Sequence, residues 1–368
     1  MGFFNLRKAT GMSHTPAPSP PPKSILIIKF RHHGDMLLTT PVIRTLNANY
    51  PGARIDVLLY KETEAMLINN PLINQCFSID RAWKKLGPLR HISREWRLLR
   101  TLRAQHYDLV INLADQWRSA LITRFTGAKQ RLGFDYPKRK GAMWRFCHSQ
   151  LVPVSGHATM HTVEQNLSLL DPLALPDIRS EVTMSYLPAD ADTIRQLLKQ
   201  RLITGRYIVV HPSSRWFFKC WTDEKMAALI TQLAADGYSI VLTSGPDQAE
   251  TEMAGNIQSL SHGEHIVSLA GKMTLPQLAA LIDQAELFIG VDSVPMHMAA
   301  ALNTPYVALF GPSKLTFWHP WEGKGETIWA GNFGALPDPD NIQTNTTKRY
   351  LDLIPVETVL TAARDLLK

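Results

Sequence analysis

Hydrophobic and polar residues follow two periods along the chain, one typical of buried strands and one typical of helices. In the first half, continuous apolar runs predict buried parallel strands at 25–30, 54–59 and 107–113. Between and after them, apolar residues three and four positions apart predict helices at 36–49, 62–69, 91–105 and 161–170. This alternation indicates a βαβ series and therefore a parallel sheet.

The same alternation begins again in the second half of the chain. A helical pattern covers 189–201, and apolar runs then predict strands at 207–212, 238–245, 265–271, 286–292 and 306–312. Helical patterns separate these runs at 222–235, 247–260, 274–284 and 293–302. We therefore predict an α/β protein with two doubly wound domains and ligands at the carboxyl ends of the strands.

A proline-rich stretch without clear periodicity, 171–188, marks the boundary between the two series. From it we expect a first domain at 24–175, a second at 176–350, and a closing helix at 351–368 that packs back on the first domain. Residues 1–23 carry a Pro/Ser-rich tract and no apolar core of a secretory signal, so we interpret them as a disordered tail. Met12 is an alternative start.

The first strand pattern ends abruptly in Arg31-His32-His33-Gly34-Asp35, and a helix pattern follows at once. The turn after the first strand of an open α/β sheet lies at the ligand crevice. The Gly-rich fingerprint of a dinucleotide fold is absent there, which argues against a dehydrogenase. A carboxylate such as Asp35 has two possible roles at this point, that of a helix cap and that of a general base. Because adjacent side chains point in different directions, we expect no metal at His32 and His33.

Two further loops have the composition of an anion site. Ser213, Ser214 and Lys219 follow the first strand of the second series, where hydroxyls and an ammonium group suit phosphate oxygens, although an ordinary serine-rich loop is the alternative. Asp292 and Ser293 end a later strand just before a helix, whose amino terminus is suited to a diphosphate. The alternative there is a plain helix cap, with the nearby His297 as a core residue.

The net charge of +7 conceals a strong asymmetry between the halves of the chain. Residues 1–160 hold 24 Lys and Arg against 9 Asp and Glu, whereas residues 161–368 hold 15 against 23. The helix pattern 91–105 contributes Arg94 and Arg97 to a basic stripe. The basic half predicts an anionic partner, and a membrane surface or phosphorylated glycolipid fits better than nucleic acid because no RNA-binding motif is present. Alternatively, the stripe is a solvated face.

Three cysteines, far apart and odd in number, predict neither disulfides nor a zinc site and favour a reducing cytoplasm. No run of 18 apolar residues predicts a membrane span.

Three stretches together resemble the lipopolysaccharide core heptosyltransferases of glycosyltransferase family 9. They are LIIKFRHHGDMLLTTPVIRTL (26–46), GVDSVPMHMAAALNTPYVALFGPS (290–313) and RYLDLIPVETVLTAARDLL (349–367). The resemblance covers about residues 24–368. The paired histidines before Gly34 and the pair Val294-Pro295 are most similar to the type III enzymes, which add the branch heptose to the second heptose of the inner core.

The resemblance implies a GT-B fold, in which the first domain binds the acceptor and the second binds ADP-heptose. Asp35 corresponds to the family's general base, and Arg31, His32, His33, Arg94 and Arg97 are our candidates for acceptor contacts. The donor contacts that it implies are Ser213, Ser214, Lys219, Met273, Asp292, Ser293 and His297, together with a ribose-binding glutamate that is either Glu250 or Glu252.

Two departures from the family pattern limit this transfer of roles. Val294 stands where many members have glycine, and Trp216-Phe217-Phe218 lengthens the loop before Lys219.

The resemblance therefore implies an inverting heptosyltransferase. Because no cluster of carboxylates suited to Mg²⁺ is evident in the sequence, we expect that it needs no metal or other cofactor. Its partners are ADP-heptose and a lipopolysaccharide inner-core acceptor, and we expect it in the cytoplasm, peripherally associated with the inner leaflet of the inner membrane. The alternatives are a type I or II heptosyltransferase, an enzyme for another nucleotide sugar, and a two-domain ligand-binding protein without catalysis.

Overall fold

The computed structural model describes residues 20–368, and most of the expected tail lies outside this part. The first domain is built on a six-stranded sheet in which every neighbouring pair is parallel, with the order β3-β2-β1-β4-β5-β6. Its strands are β1 (Ser24–Ile28), β2 (Arg54–Tyr60), β3 (Gln75–Ile79), β4 (Leu109–Asn112), β5 (Gln130–Asp135) and β6 (Gln150–Pro153).

Six α-helices accompany this sheet. They are α1 (His33–Leu37), α2 (Thr40–Asn49), α3 (Pro88–Arg103), α4 (Trp117–Phe125), α5 (Ala142–Cys147) and α6 (Thr162–Ser168). The single helix predicted over 36–49 is two helices, because the Thr39 hydroxyl turns back to the Asp35 carbonyl oxygen (2.8 Å) and the chain bends there. The helix predicted over 62–69 is a short 3₁₀ helix, Lys61–Met66.

The second domain repeats the plan with the strand order β12-β11-β10-β7-β8-β9, again parallel throughout. Its strands are β7 (Tyr207–His211), β8 (Ser239–Leu242), β9 (Ile266–Ser268), β10 (Leu287–Val291), β11 (Tyr306–Phe310) and β12 (Gly325–Trp329). Its helices are α7 (Pro188–Gln200), α8 (Asp223–Ala235), α9 (Gln248–Leu260), α10 (Leu275–Asp283), α11 (Val294–Ala301), α12 (Leu315–Trp318) and α13 (Val356–Leu366).

Both sheets are covered on both faces, which explains why their central strands are continuous apolar runs. Successive residues of β1 point into different cores: Ile25 packs in one buried cluster, and Leu26 packs in another. The cluster that contains Ile25 also contains Val209 of β7, so apolar packing continues from one domain into the other. The prediction of a doubly wound α/β protein is confirmed.

The segment between the domains is hydrogen-bonded to the first one. The side-chain amide of Asn49 donates to the Asp177 carbonyl oxygen (2.6 Å). The backbone amides of Arg179 and Thr183 donate to threonine hydroxyls of α2. These bonds hold the connection along α2 before it enters α7.

The closing helix α13 corrects one expectation. We expected it to pack back on the first domain, but it packs against α8 and against β10, β11 and β12 of the second. Val359, Leu360 and Ala363 join the buried cluster that contains Ile208 of β7. The reason is its apolar stripe, which covers a face of the second sheet that is otherwise exposed.

Candidate functional site

Asp35 lies in the first turn of α1, where its carboxylate has no hydrogen-bond partner among residues 20–368. The N-cap of α1 is His32, in extended backbone conformation (φ −84°, ψ 173°), and no side chain caps the helix. The Leu38 amide donates to the Gly34 carbonyl oxygen. Among residues 20–368 no group donates a hydrogen bond to the Asp35 carboxylate. The interpretation of Asp35 as a helix cap is therefore wrong, and its oxygens are available to another molecule.

The opening loop touches the second domain at His297. A Cβ on Gly34 would lie 3.3 Å from His297 Cδ2, so the loop backbone lies directly against the imidazole ring. His297 is 5% exposed, and its Nδ1 atom lacks a hydrogen-bond partner within the described residues. Burial lowers the pKa of His297 to about 4, against the opposing charges of Asp292 and Asp35. A neutral imidazole thus separates the two carboxylates, one from each domain.

Lys219 and Asp292 form the charged centre on the second domain. Lys219 Nζ donates to Asp292 Oδ2 (2.6 Å), and both side chains are mostly buried. The Ser313 hydroxyl donates to the same oxygen, and the Trp216 ring lies under the ammonium group (5.1 Å to the centroid). One of the three ammonium donors is used by Asp292, so the others can reach a phosphate.

The amino terminus of α11 has no side-chain cap. Ser293 occupies the N-cap position, but its hydroxyl donates to the Val291 carbonyl oxygen (3.1 Å) instead of accepting from the helix. The alternative that Asp292 or Ser293 only caps this helix is therefore wrong. Uncapped amide groups and the helix dipole favour an anion at this end.

The loop after β7 connects to the loop after β8 through a glutamate. The buried Ser213 hydroxyl donates to Glu250 Oε2 (2.6 Å), and the Gly245 amide donates to the same oxygen (3.2 Å). The alternative Glu252 is exposed and accepts from Gln248 on the outer side of α9. Of the two glutamates, Glu250 lies with the other candidates. Ser214 donates from its hydroxyl to the Asp292 carbonyl oxygen (3.4 Å).

Met273 lies on the loop between β9 and α10, at the end of the second sheet away from β12. It is half-buried, two residues before α10 begins, and it packs against the core. In the sheet, β9 is three places from β10, and neighbouring strands are about 4.8 Å apart. Met273 therefore lies on the loop that follows the edge strand β9, and the Gly271 amide of the same loop donates to the Ser244 carbonyl oxygen (3.3 Å).

The residues before Asp35 divide into two groups. Arg31 pairs with Asp115 (3.6 Å) and keeps about half of its side chain exposed, and His32 is exposed. His33 instead places Nε2 at 2.8 Å from the Glu62 carbonyl oxygen; since a carbonyl only accepts, Nε2 carries the proton. His33 thus ties the loop to the 3₁₀ helix after β2.

Arg94 and Arg97 are not brought to this loop. Both are exposed on α3, and within the described residues neither guanidinium makes a hydrogen bond or ion pair with another residue. The structure places them on the outer surface of the first domain.

The sequence profile of glycosyltransferase family 9 (heptosyltransferase) matches residues 95–348, more than half of the chain. The chain belongs to this family. It is 43% identical over 337 residues to a lipopolysaccharide heptosyltransferase 3 of Escherichia coli, a match that covers 92% of this chain and 97% of that one.

Solved structures of family 9 proteins share the fold. One is the family 9 glycosyltransferase of Veillonella parvula (TM-score 0.80, 23% identity, 94% of this chain and 97% of that one). Another is the E. coli ADP-heptose lipopolysaccharide heptosyltransferase II (TM-score 0.75, 25% identity, 94% and 98%). The predictions of a glycosyltransferase, of family 9 and of the GT-B fold are confirmed.

One charged residue beside the opening loop was missed in the sequence. Lys29 follows β1 and is buried, and its Nζ donates to Asn166 Oδ1 (2.9 Å), whose amide donates to the Leu38 carbonyl oxygen (2.9 Å). Burial lowers the pKa of Lys29 to about 8, and Asp35 acts in the opposite direction. The signal was visible, since a lysine at the end of an otherwise apolar run needs a partner.

The buried Lys29 makes stability depend on pH in a direction that can be tested. The unfolded chain holds this proton up to about pH 10.5, whereas the folded chain releases it near pH 8. In that window the unfolded state binds more protons, so rising pH stabilises the fold. Relative to Lys29→Met, the parent should gain about 3 kcal/mol of unfolding free energy between pH 8 and pH 10.5. Urea unfolding at stepped pH measures this difference. An exposed control, Lys199→Met, should show none, and a pH-independent difference for Lys29→Met would contradict the assignment.

Within residues 20–368, no group of three or more His, Cys, Asp or Glu side chains is placed to bind a metal ion. Over the same residues no helix combines the length and the apolar character needed to cross a bilayer.

Proposed function

We propose that this chain transfers L-glycero-D-manno-heptose from ADP-heptose to a heptose of the lipopolysaccharide inner core, adding the branch heptose as type III enzymes do. The relative with 43% identity supports the type, because the match extends over nearly the full length of both chains. The name of the heptosyltransferase II with a matching fold includes ADP-heptose, which supports the donor.

The observation that carries this proposal is the contact between the opening loop and the second domain. Gly34 lies against His297, so the Asp35 carboxylate and the uncapped end of α11 border one site. Inverting transfer by a single displacement needs this arrangement, with a base on the acceptor side and an anion site on the donor side.

In the proposed reaction the acceptor hydroxyl oxygen attacks the anomeric carbon of the heptose. A C–O bond forms there while the bond from that carbon to the diphosphate oxygen breaks, and ADP leaves with the electron pair. The hydroxyl proton passes to the Asp35 carboxylate. Lys219, Ser214 and the amide groups at the start of α11 stabilise the charge that develops on the diphosphate. This assignment includes no metal ion.

The rest of the donor extends along the carboxyl edge of the second sheet. From Asp292 and His297, beside the sugar, the loops run past Ser213 to Glu250 and then to Met273. We assign the ribose hydroxyls to Glu250 and the adenine ring to Met273, because these residues follow the diphosphate loops in order along the sheet and match the positions that the family resemblance implies.

The acceptor lies on the first domain, near Arg31 and His32, and we place the reaction at the cytoplasmic side of the inner membrane. Arg31 and the basic surface around it suit the carboxylate and phosphate groups of an inner core. Arg94 and Arg97 remain proposed acceptor contacts, through anionic groups at the edge of the glycolipid.

Purified core acceptors truncated at successive heptoses test the proposal. With ADP-heptose as donor, the full chain should transfer to an acceptor that carries two heptoses and not to one that carries none. Preferential transfer to the acceptor without heptose would indicate a type I enzyme, and transfer to the acceptor with one heptose a type II enzyme. Turnover with another nucleotide sugar and none with ADP-heptose would overturn the donor assignment.

A further inference from the structure

Large apolar side chains are exposed on one side of the first domain. Seventeen large apolar residues are exposed within residues 20–368, and nine of them fall between 86 and 146. Single exposed apolar residues are common, but a concentration of this kind marks an interaction surface. The members are Leu86 (39% exposed), Leu89 (83%), Ile92 (55%), Trp96 (56%), Trp117 (40%), Leu121 (44%), Phe125 (44%), Met143 (54%) and Phe146 (60%).

Eight of these side chains belong to three neighbouring helices, and Leu86 lies two residues before the first of them. Together they form one surface, which we call the α3–α5 face. On α4, Trp117, Leu121 and Phe125 recur every four residues and therefore share one stripe. Trp96 of α3 meets Phe125 edge to face (6.4 Å between ring centroids). On the other side, the guanidinium of Arg124 lies over the Phe146 ring of α5 (4.8 Å).

The α3–α5 face is also strongly basic. Residues 81–147 hold 16 Lys and Arg against 4 Asp and Glu, an excess of +12 within a chain of net charge +7. Two of the four acidic residues are already paired, Glu95 with Arg118 and Asp115 with Arg31.

On α3, apolar and basic residues lie side by side. Leu98 and Leu102 face the core, so the opposite side of the helix is exposed. At 100° per residue, Leu89, Ile92 and Trp96 occupy one flank of that exposed side. Arg90, Arg94 and Arg97 occupy the other flank. A helix with this distribution fits a membrane interface, where apolar groups enter between lipids and arginines meet phosphates.

The composition of the face distinguishes among possible partners. A second copy of this chain would bring the same +12 excess against it and be repelled. A nucleic acid would satisfy the arginines but would leave aliphatic side chains such as Leu89, Ile92 and Leu121 without suitable contacts. Lipid satisfies both sets of side chains.

The face borders the acceptor side of the proposed site. Helix α4 begins at Trp117, two residues after Asp115, and Asp115 pairs with Arg31 of the opening loop. From there the apolar stripe runs along α4, which at nine residues is about 14 Å long.

We propose that the α3–α5 face inserts its aromatic and aliphatic side chains into an anionic phospholipid bilayer and thereby presents the opening loop to a lipid-borne acceptor. The choice of acceptor rests on the proposed function, but the docking does not.

Co-sedimentation of the full chain with vesicles tests this proposal. The chain should bind vesicles with 30% phosphatidylglycerol in phosphatidylcholine, and pure phosphatidylcholine at least tenfold more weakly. Trp96→Ser with Phe125→Ser should reduce binding to the anionic vesicles at least tenfold, because the face loses the aromatic pair that joins α3 to α4. Arg94→Glu with Arg97→Glu should reduce it similarly and flatten its salt dependence. The matched control, Leu202→Ser with Leu260→Ser, changes two exposed leucines of the second domain and should leave binding within twofold.

Transfer to a water-soluble, delipidated core acceptor separates this proposal from the proposed function. The Trp96→Ser, Phe125→Ser variant should keep the parent's turnover on that acceptor and lose turnover on acceptor embedded in vesicles. Vesicle binding by a parent that does not transfer heptose would overturn the proposed function and leave the docking surface standing. Equal vesicle binding by the variant, the control and the parent would overturn the docking surface. A parent that binds no vesicles, but forms a dimer that the Trp96→Ser, Phe125→Ser variant does not form, would overturn it as well.

Discussion

An Asp35→Asn variant should lose about 10²- to 10⁴-fold in kcat for heptose transfer, while its affinity for ADP-heptose stays within threefold of the parent. The amide has nearly the shape of the carboxylate but accepts no proton from the acceptor hydroxyl. Because no group among residues 20–368 donates a hydrogen bond to the Asp35 carboxylate, its replacement breaks no hydrogen bond and removes only the charge that favours protonated Lys29, so any fall in the thermal midpoint should be small. Steady-state kinetics, titration of ADP-heptose and a melting curve measure the three quantities.

Two companion variants make this result interpretable. Asp35→Glu keeps a base displaced by one methylene group and should recover part of the lost turnover. Asp80→Asn removes a carboxylate that caps a 3₁₀ helix on the same domain and should leave kcat unchanged. Turnover of Asp35→Asn within threefold of the parent would show that another group accepts the proton.

The fold was predictable where a strand is buried on both faces. Each residue of β1, β7, β10 and β11 is buried, and each of these strands was predicted to within two residues of its ends. Strands β3, β5, β6 and β12 were missed because they carry polar or exposed residues, and an edge strand such as β3, β6 or β12 has only one neighbour in its sheet. Periodicity detects burial, and these strands are only partly buried.

Individual site residues were predictable from the sequence, but their pairings were not. Lys219 and Asp292 are 73 residues apart, and nothing in either motif shows that one neutralises the other. The contact of Gly34 with His297 joins two domains, so no local pattern contains it. The sequence pattern alone is compatible with Asp35 as a helix cap or as a general base, because the exact start of a short helix depends on backbone geometry.

The α3–α5 face is a second case in which the residues, but not their neighbours in space, were visible in the sequence. The basic stripe with Arg94 and Arg97 was visible in the sequence, and it led to an assignment as acceptor contacts. What the stripe lies beside became visible only when α3 and α4 were placed together, with Trp96 against Phe125. A run of basic residues alone indicates that the partner is negatively charged. The apolar residues beside the run indicate that this partner is a lipid surface.

Removal of the Lys219 ammonium should produce the second large effect, on the donor side of the site. Lys219→Ala should weaken ADP binding about 10- to 100-fold, since a hydrogen bond to a charged group contributes about 1.5–3 kcal/mol. It should also lower kcat, because the charge on the departing diphosphate loses its cation. Adenosine, which has no phosphate, should bind with unchanged affinity. Calorimetric titrations with ADP and adenosine measure both.

The same substitution leaves the Asp292 carboxylate mostly buried, and among residues 20–368 only the Ser313 hydroxyl then remains as a side-chain donor to it, so a loss of stability accompanies the substitution. The double variant Lys219→Ala, Asp292→Asn separates the two causes, because it removes the unpaired charge along with the ammonium. If Lys219 binds the diphosphate, the double variant regains its thermal midpoint and stays defective in ADP binding. If the lysine only neutralises Asp292, the double variant regains ADP binding as well, and the assignment of Lys219 to the donor fails.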